Sequence, residues 1–186
     1  DPDYRMYESH PVVNSLILHH LGHGDIHARR DIQGMDGNRV DFVDGESAEY
    51  DLILLATGYQ LDYPFIKREH LNWPAALDAP QLYLNVFHPE YDNLFMMGMI
   101  EAAGLGWEGR NLQARLTALY IHRHRQGSAQ AASFAATKRQ KATTNLDGGY
   151  DYIKLARMAY YVNKDAYLDA LHQHITELEA GLEQAA

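Results

Sequence analysis

The chain contains no cysteine among its 186 residues. A disulfide framework, a thiolate nucleophile and a cysteine-based zinc site are therefore excluded for this chain. Positive charge is also scarce, since 16 Lys and Arg residues stand against 25 Asp and Glu residues, which gives a formal net charge of -9. Nucleic-acid binding is not expected, because neutralising phosphates requires clustered cations.

Long apolar runs are missing as well. No stretch approaches the roughly 20 apolar residues that a membrane-spanning helix needs, and the first residues do not resemble a signal peptide. The sequence therefore predicts no membrane partner and a cytoplasmic location. What is present, 46% hydrophobic and 11% aromatic residues, predicts one sizeable core. The chain opens at Asp1 without a methionine, which suggests a piece of a longer protein.

The most informative segment is residues 50–65, which read YDLILLATGYQLDYPF. Residues 52–56 are too uniformly apolar for a half-exposed strand and predict a buried parallel strand. Ligands of open α/β sheets bind just beyond the carboxyl ends of such strands, and this strand ends at Thr57 and Gly58. We therefore expect cofactor contact at Thr57 and Gly58, with Tyr59 either a binding aromatic or a core ring that caps the sheet.

The remaining pattern predicts further elements around this strand. A helix starting near residues 9–11 and ending at Gly22 precedes an antiparallel meander with turns at 36–37 and 44–45. A second buried strand, NLFMMGMI, is expected over 93–100, and a further strand over 82–87. Amphipathic spacing predicts helices over 110–126, 152–160 and 168–182. The Ala-, Ser- and Thr-rich composition of 127–149 predicts a flexible connection. The short basic run within that connection predicts a solvated loop.

A glycine-rich stretch, GLGWEG, follows the second predicted strand. Gly104, Gly106 and Gly109 match the dinucleotide fingerprint, but three residues separate them from the strand and no acid-ended strand follows about 20 residues later. The preferred interpretation is a turn that brings backbone amides and a helix N-terminus close to a polar or anionic ligand edge. Glu101 is either a ligand-facing acid at the strand end or an acid satisfied by nearby amides.

The histidines of residues 19–27, HHLGHGDIH, raise the question of a metal site. The run crosses a predicted helix end, a glycine loop and a strand start, so its rings should point in different directions. We therefore predict no metal site. No Ser-His-Asp order and no pair of catalytic carboxylates stands out, so no residue of this chain is assigned a catalytic role.

Two ordered blocks resemble the flavin-containing monooxygenases and related class B flavoprotein monooxygenases. Residues 56–65, ATGYQLDYPF, are similar to that family's ATGY…FPF segment. Residues 98–101, then Gly104, then Leu112, Gln113 and Arg115, resemble its G-x-I-Q…G…LQ-x-R pattern, with Glu101 in place of the usual glutamine. The likeness extends from about residue 10 to residue 124.

The resemblance implies an α/β fold: an incomplete FAD-domain half with a small β-meander, two buried parallel strands, flanking helices and a helical C-terminal extension. The implied organisation is 1–126 as the carboxyl-terminal portion of an FAD-binding domain, 127–149 as the flexible connection and 150–186 as the helical extension. The implied cofactor-binding residues are Thr57, Gly58, Tyr59, Glu101, Ala102 and Gly104. The FAD pyrophosphate site would lie in a missing N-terminal half, so this chain alone should be inactive.

The activity that the resemblance implies is that of an FAD- and NADPH-dependent monooxygenase. Such an enzyme inserts one oxygen atom from O2 into a small organic substrate through a flavin hydroperoxide. The pattern leaves open the substrate and the choice between heteroatom oxygenation and Baeyer–Villiger oxidation. Two alternatives stay open: a non-catalytic helical association module that forms a homodimer through the last two helices, and a fragment of a disulfide-reductase-like flavoprotein.

Overall fold

The computed structural model describes Arg5, Glu8, Ser9 and residues 14–182. These residues divide into two compact units: residues 14–59 form one, and residues 60–182 with Arg5, Glu8 and Ser9 form the other. No helix within the described ranges has both the length and the apolar character needed to cross a membrane.

The smaller unit contains one helix and the predicted antiparallel meander. Helix α1 (Leu16–His23) ends at Gly24, whose φ of 79° allows the left-handed turn that caps it. The helix start was predicted near residues 9–11, of which residues 10 and 11 lie outside the described residues, and the described helix begins at Leu16. Strands β1 (Ile32–Asp36), β2 (Arg39–Phe42) and β3 (Ser47–Glu49) form one sheet in the order β1-β2-β3, which confirms the meander.

Alternation along β2 explains how this sheet buries a face. Val40 and Phe42 lie two residues apart and are both buried, whereas the residues between and before them are not. The Phe42 ring packs edge-on against Tyr50, with 6.4 Å between ring centroids. The sheet therefore has a single small apolar face.

The buried parallel strand predicted over 52–56 is not confirmed, because the described residues do not form it. Leu52 and Leu54 are 81% and 84% exposed, and no strand and no backbone hydrogen bond is described for residues 52–59. A parallel strand exists only where neighbouring backbone pairs with it on at least one side. None of the described residues supplies that partner.

The larger unit is built on three helices, α2 (Gly106–Arg125), α3 (Ala129–Gln140) and α4 (Lys164–Glu179), each in contact with the other two. The buried positions of α2 recur at intervals of three and four residues, as expected for one helical face: Gly109, Leu112, Gln113, Leu116, Thr117, Tyr120 and Arg123. The predictions of helices over 110–126 and 168–182 are confirmed as α2 and α4.

The flexible connection and solvated basic run predicted over 127–149 are wrong at α3. Ser128 caps this helix, since its hydroxyl accepts a hydrogen bond from the Ala131 N–H at 3.2 Å. Phe134 enters the core beside Tyr120, with 5.0 Å between ring centroids. Small residues let α3 approach α2 closely, so the alanine-rich composition reflects packing.

The helix predicted over 152–160 is also wrong. Residues 150–162 are largely extended, with a single 3₁₀ turn at Ala156–Met158. The strand predicted over 82–87 is a tight hairpin, in which Tyr83 pairs antiparallel with Phe87. The second buried strand, predicted over 93–100, is not a regular strand. Met99 and Ile100 near its end are buried, and the next residue, Glu101, forms one parallel bridge with Tyr161.

The predicted α/β class with two buried parallel strands is therefore corrected. The described residues combine four α-helices with a three-stranded antiparallel sheet. The assignment of residues 1–126 to an FAD-binding domain stays a prediction.

Candidate functional site

Residues Thr57, Gly58 and Tyr59 lie at the end of the smaller unit in an extended, exposed stretch. Gly58 adopts a φ of 88°, a conformation that favours glycine, and the space where a Cβ would stand is open. Tyr59 is fully exposed, so its interpretation as a core ring is wrong. The stretch is therefore open on all described sides, with a positive φ at Gly58 as its one unusual backbone feature.

Residues Glu101, Ala102 and Gly104 lie together in one turn of the larger unit. The Glu101 N–H donates to the Tyr160 carbonyl at 3.4 Å, and the Glu101 carbonyl accepts from the Val162 N–H at 3.0 Å. These two bonds make the parallel bridge. Ala102 is buried, whereas the Glu101 side chain is exposed. The turn is therefore anchored by its backbone, and its acidic residue is exposed.

Tyr161 holds the same turn through its side chain. The Ala103 N–H donates to the Tyr161 hydroxyl oxygen at 3.1 Å. Burial raises the pKa of Tyr161, the Ala103 hydrogen bond opposes that effect, and the negative charge of Glu101 adds to it. The hydroxyl consequently stays protonated at neutral pH, where it can accept from the amide and still donate to another group.

The three glycines of GLGWEG have different roles. Gly104 and Gly106 adopt φ values of 75° and 56°, so each sits where a side chain would be strained. A Cβ at Gly109 would lie 2.5 Å from the Leu105 side chain, so this glycine serves close packing within the first turn of α2. In the part of the chain that the structure describes, no acceptor is found for the N–H groups of Gly104 and Gly106, and the first N–H groups of a helix have no partner within it, so both are candidate donors to a ligand.

A small pocket of about 160 Å³ adjoins the turn at Ala103. Its wall includes Tyr152 and Tyr161, whose rings meet edge to face at 4.8 Å, and Tyr150 stacks on Tyr152 at 6.0 Å. Burial is the main cause that raises the pKa of Tyr152. Sequence reasoning missed these tyrosines because it placed the segment on a helix; the density of tyrosine over 150–161 was the signal available.

Gln113, from the second family-like block, is wholly buried. Its Oε1 accepts from the Gly98 N–H at 3.3 Å, and its Nε2 donates to the Tyr167 hydroxyl at 2.7 Å. Tyr167 in turn donates to the Leu84 carbonyl at 2.7 Å. Gln113 therefore joins the extended segment before the turn to α4 and to the hairpin, which is a positioning role.

Among the described residues no group of three potential ligands is close enough to hold a metal ion. His20 pairs with Asp25 at 3.0 Å, and His23 contacts the His19 carbonyl at 2.9 Å. His174 is buried, with Nε2 at 2.6 Å from the Tyr83 hydroxyl and Nδ1 at 2.8 Å from the Glu177 carboxylate. Its role is structural.

The predicted site residues thus form two groups, each described within its own unit. The first is the open stretch of Thr57, Gly58 and Tyr59, and the second is the anchored turn of Glu101, Ala102 and Gly104. The second group combines backbone N–H groups without an acceptor among the described residues, an exposed acidic residue and a tyrosine-lined pocket, an arrangement suited to the polar edge of a ring system. Their shared role in cofactor binding stays a prediction.

Comparison with known proteins gives a family and one partial relative. A family model described as flavin-binding monooxygenase-like matches residues 1–177. The indole-3-pyruvate monooxygenase YUCCA4 of Oryza sativa subsp. japonica is 37% identical over 59 residues, which is 32% of this chain and 13% of that protein. The match therefore spans far less than two thirds of the relative. No solved structure matches the chain.

Proposed function

Since this chain belongs to the flavin-binding monooxygenase-like family, we propose that it is the carboxyl-terminal part of an FAD- and NADPH-dependent monooxygenase that oxygenates a small organic substrate. The main structural support for this proposal is the anchored turn of Glu101, Ala102 and Gly104, which we propose as the flavin-binding residues of this chain. It follows the extended segment that ends at Ile100 and leads into α2 through two glycines with positive φ.

The residues of this turn fit the polar edge of a flavin ring. The free N–H groups of Gly104 and Gly106 would donate to ring carbonyl oxygens, and the Glu101 carboxylate would accept from a ring N–H. A carboxylate cannot donate, and it disfavours an anionic ligand form, so Glu101 distinguishes this site from one with glutamine. When bound, the flavin supplies the redox and oxygen chemistry, while the protein orients it and excludes water.

Tyr161 acts on this site through the main chain. Its hydroxyl accepts a hydrogen bond from the Ala103 N–H. The main chain of Glu101 is bound separately, by the Tyr160 carbonyl and the Val162 N–H. A Tyr161→Phe substitution removes the acceptor of the Ala103 N–H and should loosen the turn. The expected result is weaker flavin binding in the assembled enzyme, by about tenfold, with an unchanged helix content.

A missing N-terminal half is the partner that we propose for the smaller unit. Leu52 and Leu54 are exposed within a run that has the composition of a strand buried on both faces, and α1 has no buried residue. Contiguous exposed apolar surface of this kind marks an interaction site. Strands of the N-terminal half would pair with residues 52–56 and complete the FAD site, which is why the chain alone should be inactive.

The proposal is tested by supplying the missing half. The segment encoded upstream of Asp1 is expressed separately, mixed with this chain, and assayed for FAD-dependent oxidation of NADPH. Activity that requires both pieces is the expected result. An upstream segment without glycine fingerprints, or a verified full-length protein that neither retains FAD nor oxidises NADPH, would contradict the proposal.

A matched pair of variants tests the interface. Leu54 is 84% exposed in the smaller unit and Leu155 is 46% exposed in the larger one, and neither enters a described core. Leu54→Lys should abolish complementation, because it places a charge within the proposed sheet, whereas Leu155→Lys should leave it intact. Equal complementation by both variants would rule out the proposed pairing of residues 52–56.

The substrate is tested by direct turnover. Indole-3-pyruvate is the first compound to assay, because the partial relative is named as an indole-3-pyruvate monooxygenase. A match over 59 residues supports only this choice of first compound. A panel of amines, thioethers and ketones would distinguish heteroatom oxygenation from Baeyer–Villiger oxidation.

The alternative of a helical association module is less well supported by the packing. Leu171, Ile175 and Leu178, which carry the apolar stripe of α4, are buried within their own unit. That stripe is therefore not available to a second copy of the chain.

A further inference from the structure

A cavity of about 400 Å³ in the larger unit plays no part in the proposed oxygenation, although Tyr160 and Val162 on its wall also bind the main chain of Glu101. Three separate segments line it: residues 76–85, 142–146 and 159–162. Small-molecule sites in proteins have volumes from about 300 Å³ upward, so the cavity is large enough for a ligand of one or two rings.

Polar side chains on the wall of this cavity have unused hydrogen-bonding capacity. No hydrogen bond is described for the side chains of Asp78, Gln81 or Thr143. Asn85 donates through Nδ2 to the Tyr160 carbonyl at 3.1 Å, which joins two walls and leaves its Oδ1 as an acceptor. The wall therefore offers a carboxylate, two amide oxygens, an amide donor and a hydroxyl.

Part of the wall is apolar. Ala79, Leu82 and Val162 are each about 5% exposed and line the same cavity. A ligand must therefore present an apolar surface to these side chains and hydrogen-bonding groups to Asp78, Gln81 and Thr143.

The charge of the wall narrows the ligand class. No Lys, Arg or His lines the cavity among the described residues, and Asp78 would repel a phosphate or carboxylate. A hydroxyl group both donates and accepts, so it pairs with every polar group on this wall, whereas an ammonium cannot accept from the Gln81 amide. A sugar ring combines such hydroxyls with an apolar C–H face.

The backbone beside the cavity forms the tight turn of the 82–87 hairpin. Leu84 and Asn85 are consecutive and both adopt a φ of 55°, the left-handed region that a bulky side chain such as leucine rarely occupies. The surrounding structure holds this conformation, since the Leu84 carbonyl accepts from Tyr167 and the Leu84 side chain is buried. The Val86 N–H donates to the Tyr83 carbonyl at 3.1 Å, so Leu84 and Asn85 are the central residues of the hairpin turn, where positive φ at both positions is an ordinary requirement, and the turn fixes Asn85 on the cavity wall.

From these observations we propose that the cavity bounded by Asp78, Gln81, Asn85 and Thr143 binds a neutral polyhydroxylated ring, a sugar or a cyclic polyol. Asp78 and Asn85 accept from ligand hydroxyls, and Gln81 and Thr143 both donate and accept. The apolar side chains at 79, 82 and 162 pack against the C–H face of the ring. This site goes beyond the proposed oxygenation, and its test does not depend on flavin.

The test is a titration of the 186-residue chain, followed by calorimetry or ligand-observed NMR, with four probes. Maltose and myo-inositol represent neutral polyols, glucose 6-phosphate an anion and spermidine a cation. Saturable binding of at least one neutral probe, with glucose 6-phosphate at least tenfold weaker, is the expected result. No saturable binding of either neutral probe, or tighter binding of spermidine or glucose 6-phosphate, would overturn the proposal.

Two variants locate the binding. Asp78→Ala and Gln81→Ala remove side chains without a described hydrogen bond, so the fold should be unaffected, and each should weaken sugar binding about tenfold. Gln33→Ala, an exposed position in the smaller unit, is the matched control and should bind as the parent does. Unchanged affinity in both cavity variants, with circular dichroism showing an intact fold, would place the binding elsewhere and refute the assignment.

Discussion

Replacing Lys138 with methionine should destabilise the helical unit more than any exposed substitution. The Lys138 ammonium is wholly buried, and its Nζ lies 2.8, 2.9 and 3.1 Å from the carbonyl oxygens of His88, Pro89 and Tyr91. It also lies 2.9 Å from the Asp92 carboxylate. Methionine keeps the length of the side chain and removes the charge and the donors, so the variant isolates the polar contribution.

The expected loss follows from these partners. Removing one member of a buried charge pair typically lowers the free energy of unfolding by about 3–5 kcal/mol, because the remaining groups stay buried without partners. Asp92 would keep the hydrogen bond from Tyr120 at 2.7 Å and the ion pair with Arg139 at 3.5 Å. We therefore expect the lower end, about 3 kcal/mol, which is a large fraction of the stability of a typical domain.

The assay is urea denaturation followed by circular dichroism at a helix-sensitive wavelength. Lys154→Met, at an exposed position, is the matched control and should change the free energy of unfolding by no more than about 0.5 kcal/mol. A loss below about 1 kcal/mol for Lys138→Met would mean that Lys138 behaves as a surface charge, and the reasoning from its burial would be refuted.

The pH dependence of the same variant provides a second check. Burial raises the pKa of Asp92, but hydrogen bonds from Tyr120 and Lys138 and the charges of Lys138 and Arg139 outweigh it, so the net shift is downward from 3.8. A carboxylate with a lowered pKa adds stability above its unfolded pKa, and this is lost as pH falls through its folded pKa. The acid-induced loss should therefore be smaller in Lys138→Met than in the parent.

Two further substitutions test the hairpin and the candidate turn. Tyr83→Phe leaves the buried His174 Nε2 without its partner and should lower the free energy of unfolding by about 1–2 kcal/mol. Burial and the charge of Glu177 raise the pKa of Tyr83 from 10.0 to about 12. The parent should therefore lose stability as pH rises through this range, and the variant should lose less. The same dependence of unfolding free energy on alkaline pH in both proteins would contradict the burial argument. Gly104→Ala forces a side chain into a φ of 75° and should lower the free energy of unfolding by about 1–2 kcal/mol. Gly22→Ala, within α1, is the control and should be neutral or stabilising. Thermal denaturation measures both variants, and equal effects would refute the strain at the turn.

Local pattern predicted the elements whose partners lie nearby in the chain. The meander follows from Asp36, Gly37 and the alternation of Val40 and Phe42, and α2 and α4 follow from apolar spacing of three and four residues. The Glu101 turn was located correctly because glycines and the end of an apolar segment coincide there. These features depend on short-range geometry, which sequence reports directly.

The errors share a different cause, which is that they depend on partners distant in sequence. Residues 52–56 have the composition of a buried strand, but composition does not supply a neighbouring strand. Lys138 lies in a basic run, yet carbonyl groups about 50 positions earlier surround it. Tyr161 reaches Ala103 across 58 positions. Local sequence patterns do not predict such long-range contacts, so the sequence predicted neither α3 nor the tyrosine pocket.

The contacts of the last helix bear on how any shortened form of this protein would behave. A chain stopped at Gly149 would lose Tyr167, and with it the donor to the Leu84 carbonyl and the acceptor for Gln113. It would also lose the main-chain groups that bind Glu101. Residues 160–167 thus hold in place the segment that we propose to face the flavin. Removing them should disorder that segment whether or not the protein forms oligomers.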